Sequence, residues 1–257
     1  GMITIMSKEV KVTPMDTVNN ARTMPWKVAI EPFRVAPRVW YVGNTWVGSF
    51  LIQTSEGLAL IDTTVMEDLY LLIDSIHRLG FDPKDLKHIF LTHAHMDHDG
   101  AARALKELTG AKIWLSREEW RHRPEADMSD TGFAIVPYET DCFYEDETPI
   151  VMGDVVIRTR LSAGHTPGTT SFFVEMKDEE GKTVVWGMHG GVGINTMNTD
   201  YLQKVRLPLS LQEDFFRGCE EMKSIHVDIC TPSHPSHSDM LERIPEDRND
   251  YRPFVDE

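Results

Sequence analysis

Leu91-Thr-His-Ala-His-Met-Asp-His-Asp-Gly100 decides the reading of this chain: three histidines and an aspartate fall between His93 and His98. Ile89-Phe-Leu91 reads as a short buried strand leading into it. Ala101 to Leu108 reads as a helix leaving it, closed by Gly110. Side chains two apart in an extended segment point the same way, so His93 and His95 can grip one ion together. Asp97 and His98, on the turn into the helix, can face a neighbouring ion. Neutral imidazole and carboxylate are the donors that hydrolytic zinc sites use. A loop that only capped a helix would have no need of three imidazoles.

The flanks are built of short alternating elements. Upstream lie extended runs at Val39-Trp-Tyr-Val42, Ser49 to Gln53 and Leu58-Ala-Leu-Ile61, punctuated by Gly43-Asn44 and Glu56-Gly57. Val65, Leu69, Leu72, Ile73, Ile76 and Leu79 then recur at helical spacing, with Gly80 placed for a left-handed cap. Downstream, a strand is expected at Ala111 to Leu115 and a helical turn at Arg117 to Arg123. Further strands are expected at Val155 to Leu161, Ser171 to Met176, Thr183 to Trp186 and Val227 to Cys230, with a helix from Leu211 to Ser224. Strands followed by a helix in each half predict an α+β fold of two sheets between helical layers. Residues 1–25 lack periodicity and read as a flexible N-terminal arm, with one domain over 26–257. The polar stretch around Asp127 to Glu147, or that around Gly191 to Leu209, is expected to wall a pocket over the metals, since loops of this length are usually functional.

Composition narrows the function classes. Of 257 residues 41% are hydrophobic and 26% charged, as in ordinary globular proteins. The net charge of -15 repels phosphate, so no nucleic-acid partner and no anionic membrane surface is expected. Residues 1 to 20 carry no signal-peptide core. Cys142, Cys219 and Cys230 lack metal-type spacing and read as reduced, so a cytoplasmic location is expected. The partner implied is a small-molecule substrate.

The His-x-His-x-Asp-His stretch resembles the signature of the metallo-β-lactamase superfamily, and other segments follow in the expected order. Leu58-Ala-Leu-Ile-Asp62 resembles the family's buried strand ending in a supporting Asp. Gly164-His165-Thr-Pro-Gly168 resembles its third metal motif, and Thr231-Pro-Ser-His234-Pro its late histidine. The resemblance spans about Trp26 to Leu241 and implies an αββα sandwich with the metal site at one edge of the two sheets. Pro32 to Gly43 and Phe50-Leu-Ile-Gln-Thr resemble the class B branch whose second zinc is held by His rather than Cys. On that basis His93, His95 and His165 would hold one ion, and Asp97, His98 and His234 the other. His237 is a rival for the late position. Two zinc ions are implied, with Fe, Mn or Ni as alternatives. A metal-bridging hydroxide, oriented by Asp97, would open an amide or ester ring.

One position departs from the family. Where many members carry a bridging Asp after a strand ending in Gly, Val184-Val-Trp-Gly187 runs into Met188-His189. His189, or Met188 if the register slips, stands there, and His189 becomes a candidate seventh ligand. The departure argues against a glyoxalase-type thioesterase and a mononuclear iron dioxygenase. Trp46, Asn195, Asn198 and Tyr201 are the candidate substrate contacts. The leading expectation is a β-lactamase-like hydrolase. A lactone, ester or other amide hydrolase is the close alternative, and a di-iron redox protein or non-catalytic metal-binding module the distant ones.

Overall fold

A computed structural model describes residues 13–123 and 131–256. Seven strands form the first sheet in chain order: β1 (Phe33–Ala36), β2 (Val39–Tyr41), β3 (Phe50–Thr54), β4 (Gly57–Ile61), β5 (Leu86–Phe90), β6 (Lys112–Leu115) and β7 (Cys142–Phe143). The second sheet holds β8 (Ile150–Met152), β9 (Val155–Leu161), β10 (Thr170–Lys177), β11 (Thr183–Met188) and β12 (Ile229–Cys230), ordered β12-β11-β10-β9-β8. Pairing is antiparallel from β1 to β4 and parallel from β4 to β7. β11 and β12 are also parallel. Parallel strands present their C-terminal ends together, and this brings the chemistry to one edge.

Alternation along the strands explains the layering. Phe50 and Ile52 of β3, Ala59 and Ile61 of β4 and Phe90 of β5 meet Phe172, Val174, Trp186 and Ile229 of the second sheet. Their neighbours Leu51, Leu58, Leu60 and Ile89 face the other way. These pack against Leu72 and Ile76 of α2 (Leu69–Arg78) and Leu105 of α4 (Ala102–Thr109). The first sheet is therefore apolar on both faces, as a sheet covered on both sides must be. Gly80 and Gly110 end these two helices with φ of 83° and 75°, a conformation that costs other residues a Cβ clash.

Five further α-helices lie among the described residues: α1 (Pro14–Thr23), α3 (Met96–Asp99), α5 (Arg117–His122), α6 (Thr199–Lys204) and α7 (Leu211–Met222). The arm expected over residues 1–25 does not hold for its described part. Pro14–Thr23 forms a helix, α1, with a Thr13–Asp16 capping box. Ala21 is fully buried there with Val28, Val65, Met96 and Phe133. The polar Asn19-Asn20 run hid this short apolar stripe from a periodicity reading. The Gly191–Leu209 stretch, expected as loop, also contains α6, six residues too short to register as a period. Among the described residues no helix is long and apolar enough to cross a membrane.

Candidate metal centre

The metal-ligand candidates follow the ends of strands. β5 delivers His93, His95, Asp97 and His98, the turn between β9 and β10 delivers His165, and β12 delivers His234. They gather into two adjoining groups. His93, His95 and His165 form one; Asp97, His98 and His234 form the other; within each, the donor atoms lie within 4.8 Å of one another. The His93 and His98 rings touch across the divide, centroids 4.1 Å apart. All but His234 are buried.

Outer hydrogen bonds fix which nitrogen faces inward. Asp62 Oδ2 lies 2.6 Å from His98 Nδ1, and Thr92 Oγ1 2.9 Å from His93 Nδ1. Gly193 O lies 2.7 Å from His165 Nδ1, and Trp46 O 2.7 Å from His234 Nδ1. Such partners set tautomer and ring orientation in metal sites. Asp62 is itself held in place. Its φ is 59°, its Oδ1 accepts from Thr92 N, and its Oδ2 also accepts from Thr92 Oγ1. A non-glycine residue at positive φ is strained backbone of the kind that functional sites retain.

The inward atoms fit metal ions. Nε2 of His93 and of His95 are buried with no hydrogen-bond partner among the described residues. In the second group His98 Nε2 and His234 Nε2 are 3.1 Å apart, each within 3.3 Å of Asp97 Oδ2. Orphaned buried nitrogens are costly unless a partner such as a cation sits among them.

Electrostatics divides the two groups. Burial, with a smaller contribution from neighbouring imidazoles, pushes His93 and His165 well below the ordinary histidine range. Burial, partly offset by Asp97, takes His95 down to about 4. Burial also opposes a charge on His98, but the carboxylates of Asp97 and Asp62 outweigh it and raise that group to about 10. His98 hydrogen bonds and charge in turn hold Asp97 well below the usual carboxylate range, against its burial. An ion entering the second group must therefore displace the His98 proton. Zinc titrated into metal-free protein at pH 6 is expected to release at least about one proton per chain. Calorimetry in buffers of different ionisation enthalpy measures this, and zero release would mean that His98 is already neutral.

The protein matches the metallo-beta-lactamase superfamily over residues 47–215, more than half of its length. The chain belongs to that superfamily. It is similar to the metallo-beta-lactamase GOB-18 of Elizabethkingia meningoseptica, at 29% identity and a TM-score of 0.79, covering 91% of this chain and 87% of that one. It is also similar to the class B3 di-zinc enzyme LRA-12 from an Alaskan soil metagenome, at 25% identity and a TM-score of 0.77, covering 91% and 90%. Among curated sequences it is similar to the N-acyl homoserine lactonase AttM of Agrobacterium fabrum, 27% identical over 42% of this chain. That match spans only 43% of the lactonase. The αββα expectation agrees with this family, as does a second ligand group built on histidine rather than cysteine.

Within the superfamily frame, some expected site residues fall elsewhere. His189 belongs to neither ligand group. Its Nδ1 accepts from Gly191 N, its Nε2 lies 4.0 Å from Cys219 Sγ, and its ring packs on Phe215. Met188, the residue before it, points into the core between the sheets. Asn198 caps α6, its Oδ1 accepting from Tyr201 N, and Tyr201 packs beside Leu202. Neither lines the metal pocket. Trp46 and Asn195 do, in a cavity of about 310 Å³ together with His237, Met96 and Val18. His237 stands beside His234, ring centroids 5.2 Å apart, but outside the ligand group. Of the two stretches expected to wall the pocket, Gly191 to Asn195 supplies lining residues. Phe133, from the other stretch, backs the Trp46 ring at 5.4 Å, and residues 127–130 of that stretch lie outside the described residues.

Two contributors were missed in the sequence. Val18 comes from the helix read as an arm. Glu119, 1% exposed on α5, accepts from Ala94 N at 2.7 Å through one oxygen and from Thr166 Oγ1 and Gly168 N through the other. It ties the His93–His95 loop to the His165 loop. Gly168 passes so close that a Cβ there would stand 2.1 Å from Glu119 N.

Proposed function

We propose that this protein is a hydrolase that opens small uncharged rings, cyclic esters first and strained cyclic amides second, using two divalent ions, zinc in preference to iron, manganese or nickel. The observation that carries this reading is the pair of adjoining ligand groups at one pocket, with buried His93 and His95 nitrogens that have no partner among the described residues. Ions bound there supply Lewis acidity toward a carbonyl oxygen and make water more acidic near neutral pH. The chain's own residues do the rest. Asp97 keeps an ionised carboxylate that can accept a hydrogen bond from the attacking water. Trp46, Met96 and Val18 offer an apolar wall for a substrate's acyl portion, and Asn195 offers an amide across from it.

No Lys or Arg is found among the described residues lining this pocket. A substrate carboxylate would therefore meet no side-chain cation, which favours a neutral lactone over the anionic β-lactam antibiotics. The similarity to a lactonase supports the same order. The unpaired Cys142, Cys219 and Cys230 suit a reducing, cytoplasmic setting.

The test compares kcat/KM of zinc-loaded protein on an N-acylated lactone and on a β-lactam, with and without chelator. The lactone is expected to be favoured at least about 10-fold, a difference of about 1.4 kcal/mol. Chelation is expected to abolish both activities. A metal-loaded sample inert toward lactones, esters and lactams alike would overturn the reading.

A further inference from the structure

A second cavity, of about 270 Å³, shares no lining residue with the metal pocket. It lies between residues 29–32, the turn at Val42-Gly43-Asn44 and one face of α2 from Leu71 to Arg78. Thr64 and Asp68, each 2% exposed, are part of its lining. Thr64 Oγ1 and Asp68 Oδ1 are buried without a hydrogen-bond partner among the described residues. The other Asp68 oxygen is committed, because it accepts from Asn44 Nδ2. Asn44 cannot turn away, since its Oδ1 accepts from both Trp46 N and Val47 N at 2.8 Å.

Charge in the cavity is unbalanced. Glu31, Asp68 and Asp74 face one guanidinium, Arg78, and Arg78 is taken by Asp74 at 2.6 Å. Glu31 has Arg248 at 3.6 Å. Among the described residues no cation pairs with Asp68. Burial raises its carboxyl to about 6, which leaves it mainly ionised at neutral pH. Around it the wall is apolar: Ile30, Val42 and Leu72. Thr64 itself sits at φ 62°, a strained backbone of the kind that persists at ligand clamps.

The geometry points to a binding site for a small organic cation, a primary ammonium on a short apolar body. The ammonium donates to Asp68 Oδ1 and Thr64 Oγ1, which a small shift of the lining side chains uncovers, while its chain lies against Ile30, Val42 and Leu72. An ammonium has three donors and no acceptor, matching a site whose two free groups include a carboxylate. The volume, at the small end of ligand pockets, suits a body of a few carbons. This assignment stands apart from the hydrolase reading.

The test uses the full-length, zinc-loaded protein and n-butylammonium chloride, followed through methyl resonances in NMR. Saturable one-to-one binding is expected, shifting Ile30, Val42 and Leu72. Affinity is expected to exceed that of n-butanol at least about 10-fold, and sodium butyrate should not bind there. D68N, nearly isosteric, should weaken the amine at least about 10-fold and leave butanol unchanged. Equal binding of amine and alcohol, shifts confined to Val18 and Val192 of the metal pocket, or no saturable binding would overturn the assignment. The wild-type comparison decides the matter even if D68N fails to fold.

Discussion

Replacing His95 with Ala is expected to lower zinc content from about two ions per chain to about one and hydrolysis by at least about 10²-fold. The His95 ring stands edge-on to His93 and His165, centroids 4.8 and 4.9 Å away, with its Nε2 buried and without a partner among the described residues. The first ligand group has only three members, so losing one leaves two protein donors where a catalytic zinc takes three beside its water. Loss of an outer partner in metal sites already costs about 10–100-fold, and loss of a ligand costs no less than the top of that range. The fold should survive. His95 contributes to none of the hydrophobic clusters, and its structural role lies in the backbone, where its carbonyl accepts from His98 N and Asp99 N. Alanine keeps that carbonyl. Metal analysis of the purified variant, read beside its circular dichroism, is the check. Two ions retained in a folded H95A would refute the grouping of ligands.

The sequence was most informative where chemistry forced an unusual pattern. Three imidazoles and a carboxylate between a buried strand and a helix have few other uses, so His93, His95, Asp97 and His98 could be read directly. His165 and His234 came through family likeness, because nothing in their local pattern says that β9–β10 and β12 end beside β5. Alternation gave the central strands, and the Val65–Leu79 stripe gave α2, whose first residues instead form a 3-10 turn at Met66–Asp68. What failed depended on direction or on length. His189 sits one residue past β11, and position alone could not say which side of the chain it leaves from. Asn198 looked like a substrate contact, yet Asn is a strong helix cap, and that is its role here. α6 and α1 are short enough for polar neighbours to mask their buried faces. Glu119 carried no signal of its own. It lies within an Arg-Glu-Glu-Trp-Arg run that reads as a solvated helix face, and only tertiary contact reveals that one of the two glutamates is inside.

Glu119→Ala is expected to be the most destabilising single change outside the apolar cores. The carboxylate accepts three hydrogen bonds from two different loops while almost wholly buried, and its burial alone pushes its pKa up despite them. Alanine would strand Ala94 N and Gly168 N in the interior. Thr166 has an alternative, because its hydroxyl also lies 2.7 Å from Thr169 Oγ1. Two unsatisfied buried donors at about 1–3 kcal/mol each give a loss of about 2–6 kcal/mol. At about 2–4 °C per kcal/mol for a domain of this size, that lowers Tm by about 4–24 °C. Glu119→Gln separates charge from connectivity: it keeps the shape and one acceptor but places an NH2 where a donor must be received. Its Tm should fall between those of wild type and alanine. The same changes should loosen zinc in the His93–His95–His165 group more than in the other, since Glu119 joins the loops that carry those histidines. Differential scanning calorimetry together with zinc titration reads both effects. A Glu119→Ala protein melting within about 2 °C of wild type, a shift worth about 1 kcal/mol or less, would show that water replaces the carboxylate and that the two loops are held by other contacts.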